Sequence, residues 1–114
     1  MDDLDRYRAR ISEHAKHDLD AIYVYIAETF LEPKMALSLV DEIEKGILGL
    51  DTMPQRCPTR KIGVYANHGY HQLFVKNYTV IFRIDEKKRR VIIITVRYST
   101  SQFLFTKAIL YKEK

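Results

Sequence analysis

The stretch VRYSTSQF at 96–103 closes the most strongly β-patterned run of the chain, and after Arg97 no charged residue follows until Lys107. Chemistry on a phosphodiester beyond a strand end needs a proton acceptor, a proton donor and positive charge. Ser99, Thr100, Ser101 and Gln102 stand there instead. A hydroxyl titrates far from neutrality and carries no charge, so proton transfer would have to come from elsewhere. An imidazole is the side chain suited to proton transfer near neutrality, which makes His68 and His71 candidates, but they serve only if the loop carrying them folds over the sheet; without an assigned partner, such histidines are structural or solvated. His14, His17 and the neighbouring Asp18 make an H-x-x-H pair, yet a metal centre needs more converging ligands and a supporting shell. The single Cys57 has no partner for a disulfide and no companions for a zinc site. No metal and no cofactor is expected.

The positive charge is distributed unevenly. Residues 1–52 hold 6 Lys and Arg against 12 Asp and Glu, and residues 53–114 hold 13 against 3, so a net +4 divides into −6 and +10. A C-terminal half of that sign suits an anionic partner, either nucleic acid or an acidic protein. EKKRR at 86–90 lies between two strand patterns and fits a hairpin turn with edge-protecting charges better than a binding motif.

The elements that must position these groups can be read from periodicity. At 114 residues, 46% apolar and 30% charged, the chain fits one folded domain spanning 1–114. Neither a membrane span nor a secretory leader is evident, which suggests a cytoplasmic protein. RYRARI at 6–11 alternates as a short strand does. Ser12 then caps a helix in which Ala15, Leu19, Ile22, Ile26 and Phe30 share one stripe. Pro33 opens a second helix with Ala36, Val40, Ile43, Ile47 and Leu50 in the same period, so the two form an antiparallel hairpin. Tyr23, Tyr25 and Phe30 are expected in packing. Residues 53–67 are punctuated by Pro54, Pro58, Gly63 and Asn67, and three strand patterns follow at 69–76, 78–85 and 90–98. Asn77, which tolerates positive φ, is expected to turn the first hairpin, and DEKK at 85–88 the second. The fold class is α+β: an N-terminal strand and a helical hairpin packed on a mainly antiparallel sheet completed by a three-stranded C-terminal meander.

Strict alternation puts Leu73, Val75, Val80, Phe82, Ile84, Ile92, Ile94 and Val96 toward the helices. It leaves Gln72, Lys76, Thr79, Ile81, Arg83, Ile93, Thr95 and Arg97 on the other face, where Arg60 and Lys61 from the loop join them. Arg60, Lys61, Lys76, Arg83 and Arg97 are thus expected to line a basic concavity that binds a target or nucleic acid. Residues 104–114 make a tail or a short last helix.

In AKHDLDAIYVYIAE at 15–28, DEIEKGILGLDTMPQRCP at 41–58 and the meander from 69 to 103, the chain resembles the RelE/ParE superfamily of toxins from type II toxin–antitoxin (plasmid stabilisation) systems. The resemblance implies a growth inhibitor held inactive by a cognate antitoxin, which commonly wraps the helices and the sheet edge. Two activities live on that fold. RelE-like members cut messenger RNA on the ribosome without a metal, and ParE-like members poison DNA gyrase. Thr79 stands where the cutting members carry an Arg, and Ser99, Thr100 and Ser101 stand where they carry basic or imidazole side chains. If this chain were a nuclease, Arg83, Arg97, Tyr98, His71 and Lys76 would be its candidates. The reading favoured here is a ParE-like toxin acting by binding a target such as gyrase. The alternatives are a ribosome-dependent endoribonuclease, and an attenuated toxin that serves in an autoregulatory antitoxin complex and meets operator DNA only through that complex.

Overall fold

A computed structural model describes residues 6–99. The expectations for 100–114, including the hydroxyl residues Thr100 and Ser101 and a last helix, lie outside the described residues.

Strand β1 (Arg8–Ile11) leads into helix α1 (Glu13–Thr29), followed by helix α2 (Pro33–Leu48). Single 3-10 turns at Gly49–Asp51 and Pro54–Arg56 lead into an irregular segment, and β2 (His71–Val75), β3 (Tyr78–Asp85) and β4 (Arg90–Tyr98) complete the described chain. The sheet order is β1-β4-β3-β2, with β1 parallel to β4 and the other pairs antiparallel. The family-like architecture expected from the sequence is therefore present: two helices on one face of a mainly antiparallel sheet.

Local chemistry explains the element boundaries. Ser12 caps α1 by accepting from the Ala15 amide at 3.0 Å, so its hydroxyl satisfies one of the orphan donors of the first turn. Its own hydroxyl proton goes to the Ile94 carbonyl at 3.0 Å, tying the helix start to β4. The α1 stripe buries Ala15, Leu19, Ile22 and Ile26, but Phe30 lies just past the helix end and is 57% exposed. It packs edge-on against exposed Tyr25 at 5.7 Å, so this pair faces outward rather than joining the core. Pro33 begins α2, whose Ala36, Ile43 and Ile47 are buried, with Leu50 completing the stripe in the following turn. The Lys76–Asn77 turn forms as expected, but its left-handed residue is Lys76 (φ 55), not Asn77.

One irregularity changes the face assignment. The β3–β4 register runs Ile81↔Thr95 and then Phe82↔Ile93, so Ile94 is an extra residue bulged out of β4. Beyond it the alternation reverses. Val91, Ile93 and Val96 are buried in the core with Val80 and Phe82, whereas strict alternation had assigned that role to Ile92, Ile94 and Val96. Only Val96, past the bulge, keeps its expected side. Thr95 also turns toward α1: its hydroxyl donates to Asp18 Oδ2 at 2.5 Å, and the Val96 amide donates to the same oxygen at 3.0 Å. Next to the bulge the Val96 amide turns from the ladder to a helix carboxylate, which supplies the acceptor.

Candidate functional site

Cross-strand register fixes what the outer face of the sheet presents. Arg8 lies beside Arg90, and Arg10 lies beside Ile92, which in turn lies beside Arg83. Since Val91, Ile93 and Ile84 point to the core, Arg8, Arg10, Arg83 and Arg90 share the outer face. Arg8, Arg10 and Arg83 are exposed, and among the described residues no ion pair involves any of the four. Arg97 stands on the same face beside Thr79, about 13 Å along the sheet from Arg83 at strand rise.

The far half of this face is not an open concavity. The segment after Cys57 folds against it and along the β2 edge: the Gln72 amide donates to the Pro58 carbonyl, and the Arg60 amide to the Tyr70 carbonyl. Arg60 is 8% exposed and donates to Gln72 Oε1 at 2.8 Å and to the Ile62 carbonyl at 3.1 Å. Burial, followed by the nearby Arg97 charge, lowers its pKa from the ordinary arginine value. The Arg97 guanidinium sits 5.4 Å from the centre of the Tyr65 ring, a cation–π contact. Ile81 and Thr79 are 0% and 1% exposed, and Thr79 shares a 2.7 Å hydrogen bond with Ser99. Arg60 is thus largely committed to holding the loop, while Lys61 stays exposed upon it.

The remaining candidate side chains lie on the other side of the sheet. Lys76 pairs with Glu42 of α2 at 3.5 Å, so it belongs to the helix side and not to the outer face where alternation had put it. Tyr98 is T-stacked on Tyr78 at 5.4 Å. Both line an open groove of about 860 Å³ between α1, α2 and the end of the sheet, walled largely by Tyr25, Phe30, Met35 and Leu39. Burial, then the neighbouring tyrosines, raises the Tyr78 pKa above the usual phenol value. His71 faces the core: it stacks on Phe82 at 5.5 Å and its Nδ1 contacts the Cys57 carbonyl at 2.9 Å. Burial pushes the Cys57 thiol up, so it is held as a neutral core group. Exposed His68 has no ionic partner among the described residues, and His14 lies 3.5 Å from Asp18. Among the described residues no His, Cys, Asp and Glu cluster could hold a metal.

The five nuclease candidates therefore occupy three places: Arg83 and Arg97 outside, Lys76 and Tyr98 at the groove, and His71 against the core. Arg8, Arg10 and Arg90 had escaped sequence reasoning. Their available signal was the alternation in RYRARI, which already put both β1 arginines on one side; their neighbours depended on a parallel pairing remote in sequence.

No helix among the described residues is long and apolar enough to cross a membrane. The family model described as the ParE toxin of the type II toxin–antitoxin system parDE matches residues 9–103. Among solved structures, a chain of the chromosomal ParDE system of Pseudomonas aeruginosa is similar at 21% identity and a TM-score of 0.68, covering 82% of this chain and 96% of that one. A chain of the RelBE2 toxin–antitoxin complex of Mycobacterium tuberculosis is similar at 21% identity and a TM-score of 0.57, covering 82% and 91%. A mutant of the Escherichia coli toxin RelE in the free state gives 11% identity and a TM-score of 0.59, covering 93% and 97%. A comparison with curated proteins finds no match. With a ParE model spanning most of its length and a two-helix, four-strand fold shared with ParDE and RelE structures, the chain belongs to the ParE toxin family of type II toxin–antitoxin systems, within the RelE/ParE superfamily.

Proposed function

We propose that this toxin inhibits growth by binding a macromolecular target, DNA gyrase, through the outer sheet face, and that a cognate antitoxin neutralises it. The observation that carries this is the dispersal of the acid/base candidates. Ribonuclease chemistry needs a base, an acid and positive charge around one phosphate. Here Arg83 and Arg97 are separated by the sheet from Tyr98, Lys76 and His71, and the position beside Arg97 holds a buried Thr79. The cations that remain outside suit contact with a target rather than proton transfer.

The groove is the proposed antitoxin seat. Tyr25, Phe30 and Met35 are each 56% to 57% exposed and lie together on it, and an amphipathic segment gains most by covering such a surface. Acidic residues of the antitoxin are expected where it extends toward the basic sheet.

Purified toxin is expected to inhibit supercoiling by gyrase and to leave messenger intact in a reconstituted translation system. Codon-phased messenger cleavage that disappears on Arg83→Ala or Arg97→Ala would instead establish the ribosome-dependent nuclease.

A further inference from the structure

The four outer arginines gathered by the β1–β4 pairing make up the open half of the outer sheet face, the face on which the proposed target binding also rests. We propose that Arg8, Arg10, Arg83 and Arg90 bind the phosphodiester backbone of duplex DNA without reading its sequence. This goes beyond the expectation that DNA is met only through the antitoxin, and it stands apart from the identity of the toxin's target.

The register sets the geometry. Arg8 and Arg10 are two residues apart on β1, about 7 Å, and Arg83 lies two strands away, about 10 Å. Three exposed guanidiniums thus span an area that meets several phosphates of a duplex, which carries one charge per roughly 1.7 Å of axis. Among the described residues no ion pair compensates this charge. Asp85 is opposite Arg90 in register yet forms no ion pair with it, and among the described residues the buried Arg90 Nε has no hydrogen-bond partner.

The chemistry of the band selects the occupant. A protein partner needs an extended apolar centre to its interface, and the band's apolar side chain is half-buried Ile92 between Arg10 and Arg83, with none of the exposed large hydrophobic residues beside it. Single-stranded nucleic acid needs aromatic rings on which bases stack, and the band contains none. A band dominated by guanidiniums suits a backbone whose bases remain paired, because phosphate contacts position a protein without specifying sequence.

The test is fluorescence anisotropy of the full chain with a labelled 30-base-pair DNA duplex of arbitrary sequence, across a salt series. The logarithm of affinity is expected to fall against log salt with a slope of about −3, for three to four phosphates. The Arg8→Ala/Arg10→Ala/Arg83→Ala variant is expected to lose at least about tenfold in affinity at low salt and most of that slope. These side chains are exposed, and an unchanged Tm verifies folding. Lys34→Ala/Lys45→Ala, on the helical face, is expected to bind as the parent does. The proposal is overturned if the duplex is not bound, if the triple variant binds equally, or if a matched RNA duplex or a poly-glutamate peptide binds more tightly than the DNA. Gyrase inhibition by the parent protein, scored in parallel, separates the two proposals: a parent that inhibits gyrase but does not bind the duplex overturns this one and leaves the target reading standing.

Discussion

Asp18 shows how much a single side chain can settle. Half-buried on α1, it accepts from the Thr95 hydroxyl and from the Val96 amide, which the bulge takes out of the ladder. Asp18→Ala leaves both without that acceptor and is expected to cost about 1–3 kcal/mol, measured by urea unfolding. Asp18→Asn, which keeps a carbonyl acceptor, is expected to recover part of the loss. Glu86 makes a different residue-scale case. It accepts from Tyr7 at 2.6 Å and from Gln55 at 3.1 Å, and these hydrogen bonds, the Tyr7 one foremost, hold its carboxyl below the ordinary 4.5. A depressed carboxylate stabilises the fold above its unfolded pKa, and that contribution disappears as the pH falls through the folded value. Melting temperature is therefore expected to drop as the pH falls below the ordinary 4.5, and Glu86→Gln to flatten that drop. An equal drop in both proteins would show that Glu86 is not responsible.

At the scale of elements, α2 approaches the sheet closely at one position. A Cβ at Gly46 would come within 2.9 Å of Val75 Cγ2 and 3.3 Å of Leu73 Cδ2. Helix propensity favours Ala over Gly by about 1 kcal/mol, whereas overpacking costs about 1–3 kcal/mol. Because the nearest atom belongs to a β-branched residue with little rotamer freedom, overpacking should win. Gly46→Ala is expected to destabilise by about 1 kcal/mol and Gly46→Val by more. Val75→Ala should relieve part of the Gly46→Ala loss in a double-mutant cycle. Additive losses would mean that the helix shifts as a body. The helices themselves were legible in sequence, since a capped, 3.6-periodic stripe specifies its own buried face. The faces of β4 were not, because the bulge at Ile94 depends on pairing with β3 and on Asp18 reaching across from α1.

Across the whole molecule, the charge asymmetry of the chain becomes an asymmetry of layers. Acidic residues of 13–48 lie on the helical layer, while β1 carries Arg8 and Arg10 out of the acidic half of the sequence and sets them beside Arg90 and Arg83. The molecule therefore offers two separate surfaces, an aromatic groove on the helical side and an arginine face on the other. They should respond independently. Tyr25→Asp/Phe30→Asp is expected to weaken antitoxin binding at least about 100-fold, by charging an apolar seat, while gyrase inhibition persists. Antitoxin affinity unchanged by these substitutions would place the antitoxin elsewhere.

Sequence alone determined what short-range physics controls. Helix periods, the Ser12 cap, the Pro33 start, the hairpin turns and the hydroxyl-rich strand end each depend on residues a few positions apart, and together they were enough to indicate the α+β class and the family. Tertiary structure decided where the functional candidates meet. Pairing of β1 with β4 gathered four arginines, the bulge reversed the faces of β4, and the loop committed Arg60 to internal hydrogen bonds. Lys76 and Tyr98 went to the groove for the same reason: contacts between segments tens of residues apart are set by packing of the whole core, and no local pattern encodes them.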